Sequence, residues 1–128
     1  MSGKIVHFEV PYDNGARARS FYRDAFGWQV MDIPGMDYTS VSTGPAGDDG
    51  MPSEPGYIGG GMFQRTDDYP RTPVITVEVD DIEAALKKIE SLGGKGSIPK
   101  FAVGEMGFAA YFTDTEGNTI GLWETAGG

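Results

Sequence analysis

The chain has 128 residues, 39% of them hydrophobic, with 20 glycines, 8 prolines and no cysteine. That is enough apolar material for one packed core and too many turn formers for a helical bundle, and it excludes disulfides, thiolate catalysis and cysteine metal sites. Nineteen acidic against ten basic side chains leave a net charge of −9 with the single histidine neutral, so neither nucleic acid nor an anionic membrane surface is expected as a partner.

No apolar run approaches the roughly 20 residues of a membrane span. The N-terminus enters a strand-like run with no apolar leader segment, so the expected compartment is the cytoplasm. Residues 4–10 (KIVHFEV) are β-branched and apolar and predict a strand. A turn at 11–15 offers Asp13 or Asn14 as a helix cap. From 16 to 26 the spacing is helical, with Ala18, Phe21, Tyr22 and Ala25 on one face and Arg17, Arg19, Arg23 and Asp24 left to water. Gly27 stands where a helix end favours left-handed backbone. Strands are predicted over 28–33, 36–43 and 57–65, the last interrupted by Gly59, Gly60 and Gly61. Between them, 44–56 is rich in Gly, Pro and the acids Asp48, Asp49 and Glu54. A stretch of that length and composition suits a lid beside a site.

The second half repeats the order. A strand is predicted over 72–79, then a helix over 82–92 capped at Asp80-Asp81 and ended by Gly93-Gly94. Further strands follow near 94–99, 107–113 and 118–124. Both halves read β-α-β-β-β. A repeat of about 65 residues is too long for a solenoid and too short for two independent domains. The expected architecture is therefore one domain over 1–128, with module one at about 1–66 and module two at about 70–126 sharing one sheet.

Several segments carry a family resemblance. They are 7–11 (HFEVP), 18–28 (ARSFYRDAFGW), 77–82 (VEVDDI) before a helix ending in Gly93-Gly94, and 114–118 (DTEGN) before the last strand. In this order they make the chain resemble the vicinal oxygen chelate superfamily, the group of glyoxalases, bleomycin-resistance proteins and extradiol dioxygenases. The resemblance covers nearly the whole chain. It implies an α+β fold of two βαβββ modules forming a curved, half-open mixed sheet with outer helices and a ligand cleft on the concave side. A homodimer is also implied.

Metal-using members of that superfamily place His or Gln on the first strand of each module and Glu on the last. His7 suits the first of these positions, but its counterpart in module two is Val74. The last-strand carboxylate position falls on Gly121, and the fourth falls within 58–62, where no carboxylate occurs. Glu124 lies an odd number of residues from Gly121 and so belongs to the other face of a strand. One good ligand does not make a catalytic metal site, which takes about three. The expected site holds no metal and no cofactor.

The candidate site residues follow from this register. His7 is a possible general base or ligand-binding group, because an imidazole titrates near neutrality. Glu9 shares its face, two residues on, and is the second candidate catalytic group, as an acid in the cleft. Gly60, within the glycine run, and Gly121 would deepen the cleft by the side chains they lack. Tyr38, Met62, Thr76, Tyr111 and Trp123 would line it, the aromatics by stacking on a planar ligand. The leading expectation is a small-molecule-binding protein of the glyoxalase/bleomycin-resistance type with a metal-free cleft for a largely apolar or aromatic compound. The alternatives are a metal-dependent lyase or isomerase of the glyoxalase type, and a non-catalytic interaction module.

Overall fold

The computed structural model describes residues 3–35, 38–48 and 51–127. Met36, the expected start of the third strand, and the loop acid Asp49 lie outside them. The first half contains β1 (Ile5–Tyr12), α1 (Gly15–Phe26), β2 (Gln29–Ile33), β3 (Tyr38–Ser42) and β4 (Gly60–Gln64). The second contains β5 (Val74–Glu78), α2 (Ile82–Ser91), β6 (Lys95–Val103), β7 (Gly107–Thr113) and β8 (Thr119–Thr125). The fold is α+β, with eight strands and two helices among the described residues. No helix among the described residues is long and apolar enough to cross a membrane.

The chain divides into two compact units, one spanning His7–Pro73 and the other formed by β5 to β8, α2 and the start of β1 up to Val6. In the first unit the strands lie in the order β2-β3-β4-β1, with β1 and β4 parallel and Glu9 opposite Gly61. In the second the order is β5-β8-β7-β6, with β5 and β8 parallel and Thr76 opposite Gly121. The chain start joins this second sheet, where the Gly3 amide donates to the Glu78 carbonyl and the Glu78 amide to the Lys4 carbonyl, each at 2.8 Å.

Local chemistry sets the helix ends. The Asn14 side chain accepts from the Arg17 amide at 3.0 Å and starts α1; Gly27, at φ 73°, ends it. Asp81 does the same for α2 through the Ala84 amide at 3.2 Å. Beneath α1, Tyr12, Val41 and Met62 form a buried cluster with Phe8, Val10, Ala18, Tyr22, Trp28 and Val30 packed around it. The Tyr22 ring stacks on Trp28 with centroids 5.0 Å apart. Beneath α2 the equivalent cluster is Val79, Ile82, Ala85, Ala110 and Leu122.

Two expectations about side chains change. Phe21 and Ala25 do not face the core: Phe21 is 60% exposed, and α1 packs chiefly through Ala18 and Tyr22. Arg19 is not part of a wet face. It reaches β3, donating to Thr39 Oγ1 at 3.1 Å and approaching Asp32 at 3.8 Å. The 44–56 stretch, in its described part, has a ladder of its own. Ala46 bridges Pro52, the Gly47 amide donates to Met51 and the Ser53 amide to Pro45, and Tyr57 covers Gly44 while its hydroxyl donates to the Pro45 carbonyl.

Candidate functional site

Strand alternation sorts each half into two faces. In β1, Phe8, Val10 and Tyr12 turn toward α1, which leaves His7, Glu9 and Pro11 on the other side. The β1–β4 register adds Gly61 and Phe63 to that second face. The β3–β4 register adds Tyr38, opposite Phe63, and Ser40, opposite Gly61.

On this face His7, Glu9 and Tyr38 come together. His7 Nε2 lies 2.8 Å from the Tyr38 phenol oxygen, and the Tyr38 hydroxyl donates to Glu9 Oε2, also at 2.8 Å. The two outer groups are 4.0 Å apart, too far for a direct hydrogen bond, so the phenol is the link between them. Glu9 is buried at 7% exposure, whereas the His7 side chain keeps 36% of its surface open. Burial holds the His7 pKa below its ordinary 6.5 and outweighs the Glu9 charge, which pulls in the opposite direction.

Gly61 makes this arrangement possible. A Cβ at that position would overlap the Tyr38 phenol at its oxygen and Cζ, so the tyrosine lies in space that any other residue would claim. Gly60 points the other way, and a Cβ there would stand 2.6 Å from the Phe8 ring. The glycine run therefore does not leave an opened cleft; it seats two aromatic rings, one on each face of β4. Met62 belongs with Gly60 and is fully buried in the cluster beneath α1, so it is core and not lining.

The second half places Thr76, Tyr111, Gly121 and Trp123 on the face away from α2. A Cβ on Gly121 would stand 2.7 Å from Thr76 Oγ1. Tyr111 stacks on Phe101 with centroids 6.4 Å apart. Trp123 lies over Gly107 and donates from Nε1 to Thr125 Oγ1 at 3.1 Å. Glu124 points to the helix side, as its parity requires, where it accepts from the Ile82 amide at 2.9 Å and pairs with Lys100 at 3.3 Å.

These residues do not fit the metal set that the resemblance implies. The register makes Gly61 the counterpart of Gly121 and His7 the counterpart of Val74. Of these four positions only His7 offers a donor atom. The space of the missing carboxylate in the first half is filled by a phenol already hydrogen-bonded to His7 and Glu9. Among the described residues no cluster of three or more His, Asp or Glu side chains is placed to hold an ion.

The Tyr38–Gly61 pairing was hidden in the sequence. Parity along one strand gives faces, but the strand-to-strand register that sets a tyrosine over a glycine comes only from the folded sheet. The signal available was the glycine run itself, since a strand glycine often marks a close approach by something else.

Known proteins match the same chain. A family model described as "Bleomycin resistance protein-like N-terminal" covers residues 4–44. A Mycobacterium tuberculosis protein named as a glyoxylase, CFP32, is 30% identical over 112 residues, which are 84% of this chain and 40% of that protein. The chain thus spans less than half the length of this relative. A "Glyoxylase-like domain-containing protein" of Didymella fabae is 29% identical over 93% of this chain and 91% of its own length. In fold, the chain is similar to a glyoxalase/bleomycin resistance protein/dioxygenase superfamily member from Vibrio splendidus. That likeness has a TM-score of 0.60 at 12% identity, over 95% of this chain and 97% of the other. By its sequence relatives and its N-terminal family model the chain is similar to glyoxylase-named and bleomycin-resistance proteins, and it shares the fold of a glyoxalase/bleomycin resistance protein/dioxygenase superfamily member.

Proposed function

We propose that this chain binds a small, largely apolar or aromatic molecule without a metal ion, on the face of β1, β3 and β4 that carries His7. The observation that supports this most is the Tyr38 phenol over Gly61, in the place where a metal-using relative would carry its carboxylate. Around the polar group the same face carries the half-buried Tyr38 ring and, beneath it in the register, the buried Pro11 and Phe63, apolar walls suited to a planar ligand. The half-open imidazole gives that ligand one polar anchor. As part of the same reading, the protein works in the cytoplasm as a homodimer. Apolar side chains such as Phe21, 60% exposed, and Phe26, 64% exposed, supply surface for a second copy to cover.

A screen of small aromatic compounds, read by the NMR signals of the one imidazole in the chain, tests the binding claim. Saturable shifts that vanish on His7→Ala are expected. Hits that bind the His7→Ala and Tyr38→Ala variants as tightly as the parent protein would place the ligand elsewhere. Light scattering checks the dimer, and a monomer at the highest workable concentration would contradict that part.

A further inference from the structure

The hydrogen-bond chain through Tyr38 carries a consequence for what the site selects. A phenol has one hydrogen to give. In this structure it goes to Glu9 Oε2, so the 2.8 Å contact between the phenol oxygen and His7 Nε2 requires the hydrogen there to belong to the imidazole. A neutral imidazole protonated at Nε2 has its lone pair at Nδ1. No described residue partners Nδ1 in a hydrogen bond, and the side chain is partly open to solvent.

We infer that Glu9 and Tyr38 are positioning residues that fix His7 as the Nε2–H tautomer, so that the site presents an acceptor at Nδ1 and selects ligands bearing a neutral O–H or N–H donor. This rests on the binding reading above and sharpens it from an apolar molecule to an aromatic hydrogen-bond donor. Two features work in the same direction. The buried Glu9 carboxylate, 4.0 Å from the imidazole, disfavours an anionic ligand on this face. Burial of the ring favours its neutral form, which is the form with a lone pair to offer.

His7 is the only histidine in the chain, so selective ¹⁵N-histidine labelling reports one imidazole without ambiguity. At pH 8 the expected spectrum has Nε2 as the protonated nitrogen and Nδ1 as the lone-pair nitrogen. Tyr38→Phe keeps the ring over Gly61 and removes only the hydroxyl. In that variant the two nitrogen signals should move toward the averaged positions of a freely interconverting imidazole, while circular dichroism stays unchanged. Phenol should then shift the Nδ1 signal saturably in the parent protein. Anisole, the same ring without the O–H, should bind at least tenfold more weakly, and benzoate more weakly still.

A proton on Nδ1 in the parent protein, or nitrogen signals unmoved by Tyr38→Phe, overturns the relay. Equal binding of phenol and anisole, or binding of neither, overturns the donor rule. Nitrogen signals typical of a metal-bound imidazole, cleared by chelator, would overturn the metal-free reading itself, a failure distinct from a reversed tautomer in a metal-free protein.

Discussion

The two halves of the molecule share their element order, their parallel strand pair and their helix chemistry. Each buries an apolar cluster beneath a helix, led by Met62 in one case and Ile82 in the other, both at 0% exposure. Each sets a glycine of its last strand opposite a residue of its first, Gly61 opposite Glu9 and Gly121 opposite Thr76. The faces away from the helices then diverge. The first half carries an imidazole, a phenol and a carboxylate in one hydrogen-bonded chain. The second carries Val74, Thr76 and the rings of Tyr111 and Trp123. The helix-side face is constrained by packing, where a lost methylene is felt, whereas the other face is free to change its chemistry.

If that division is right, core truncations should hurt both halves alike. Met62→Ala and Ile82→Ala are each expected to lower stability by about 2–5 kcal/mol in urea unfolding. A cost below 1 kcal/mol for either would show that its cluster does not hold that half together.

Adding a methyl to the paired glycines separates the halves. Gly61→Ala and Gly121→Ala should each cost about 1–3 kcal/mol through overpacking, against Tyr38 and Thr76 respectively. Only Gly61→Ala should also disturb the His7 imidazole signals, because only there does the displaced side chain hydrogen-bond to His7. Disturbance of equal size from Gly121→Ala would break the comparison.

The helix starts should again behave alike. Asn14→Ala and Asp81→Ala are each expected to cost about 0.5–2 kcal/mol in thermal unfolding.

These elements were also what the sequence made most legible. Helix 15–26, the caps at Asn14 and Asp81 and the Gly27 end depend on residues a few positions apart, and they stand where local chemistry puts them. So does the 114–118 turn, where Asp114 Oδ1 accepts from the Glu116 and Asn118 amides at 2.8 and 2.9 Å. Parity alone turned Glu124 to the helix side. What the sequence withheld depends on register between strands and on which way a long side chain leans. Met62 looked like lining and is core. Gly60 looked like an opening and is filled by Phe8. His7, Glu9 and Tyr38 could each be singled out, but not the hydrogen bonds that join residues 31 and 29 positions apart.

The smallest expected effect is on pH dependence. The folded pKa of His7 lies below the unfolded value of 6.5. Between those values the unfolded chain binds more protons, so the contribution to stability is complete above pH 6.5 and is lost as pH falls toward the folded pKa. In the His7→Asn variant this component of the stability profile should vanish. A stability that instead rises as pH drops from 7 to 5, and flattens in the variant, would reverse the assigned direction.

The central claim is that Tyr38 and Gly61 stand where a metal-using relative would have a carboxylate, so that binding on this face needs no ion. Elemental analysis of the purified protein, before and after addition of excess nickel, zinc, iron or manganese and desalting, tests it most directly. Far less than one metal per chain is predicted in every case, with no difference between the parent protein and His7→Ala. About one metal ion per chain, lost on His7→Ala, would contradict the account.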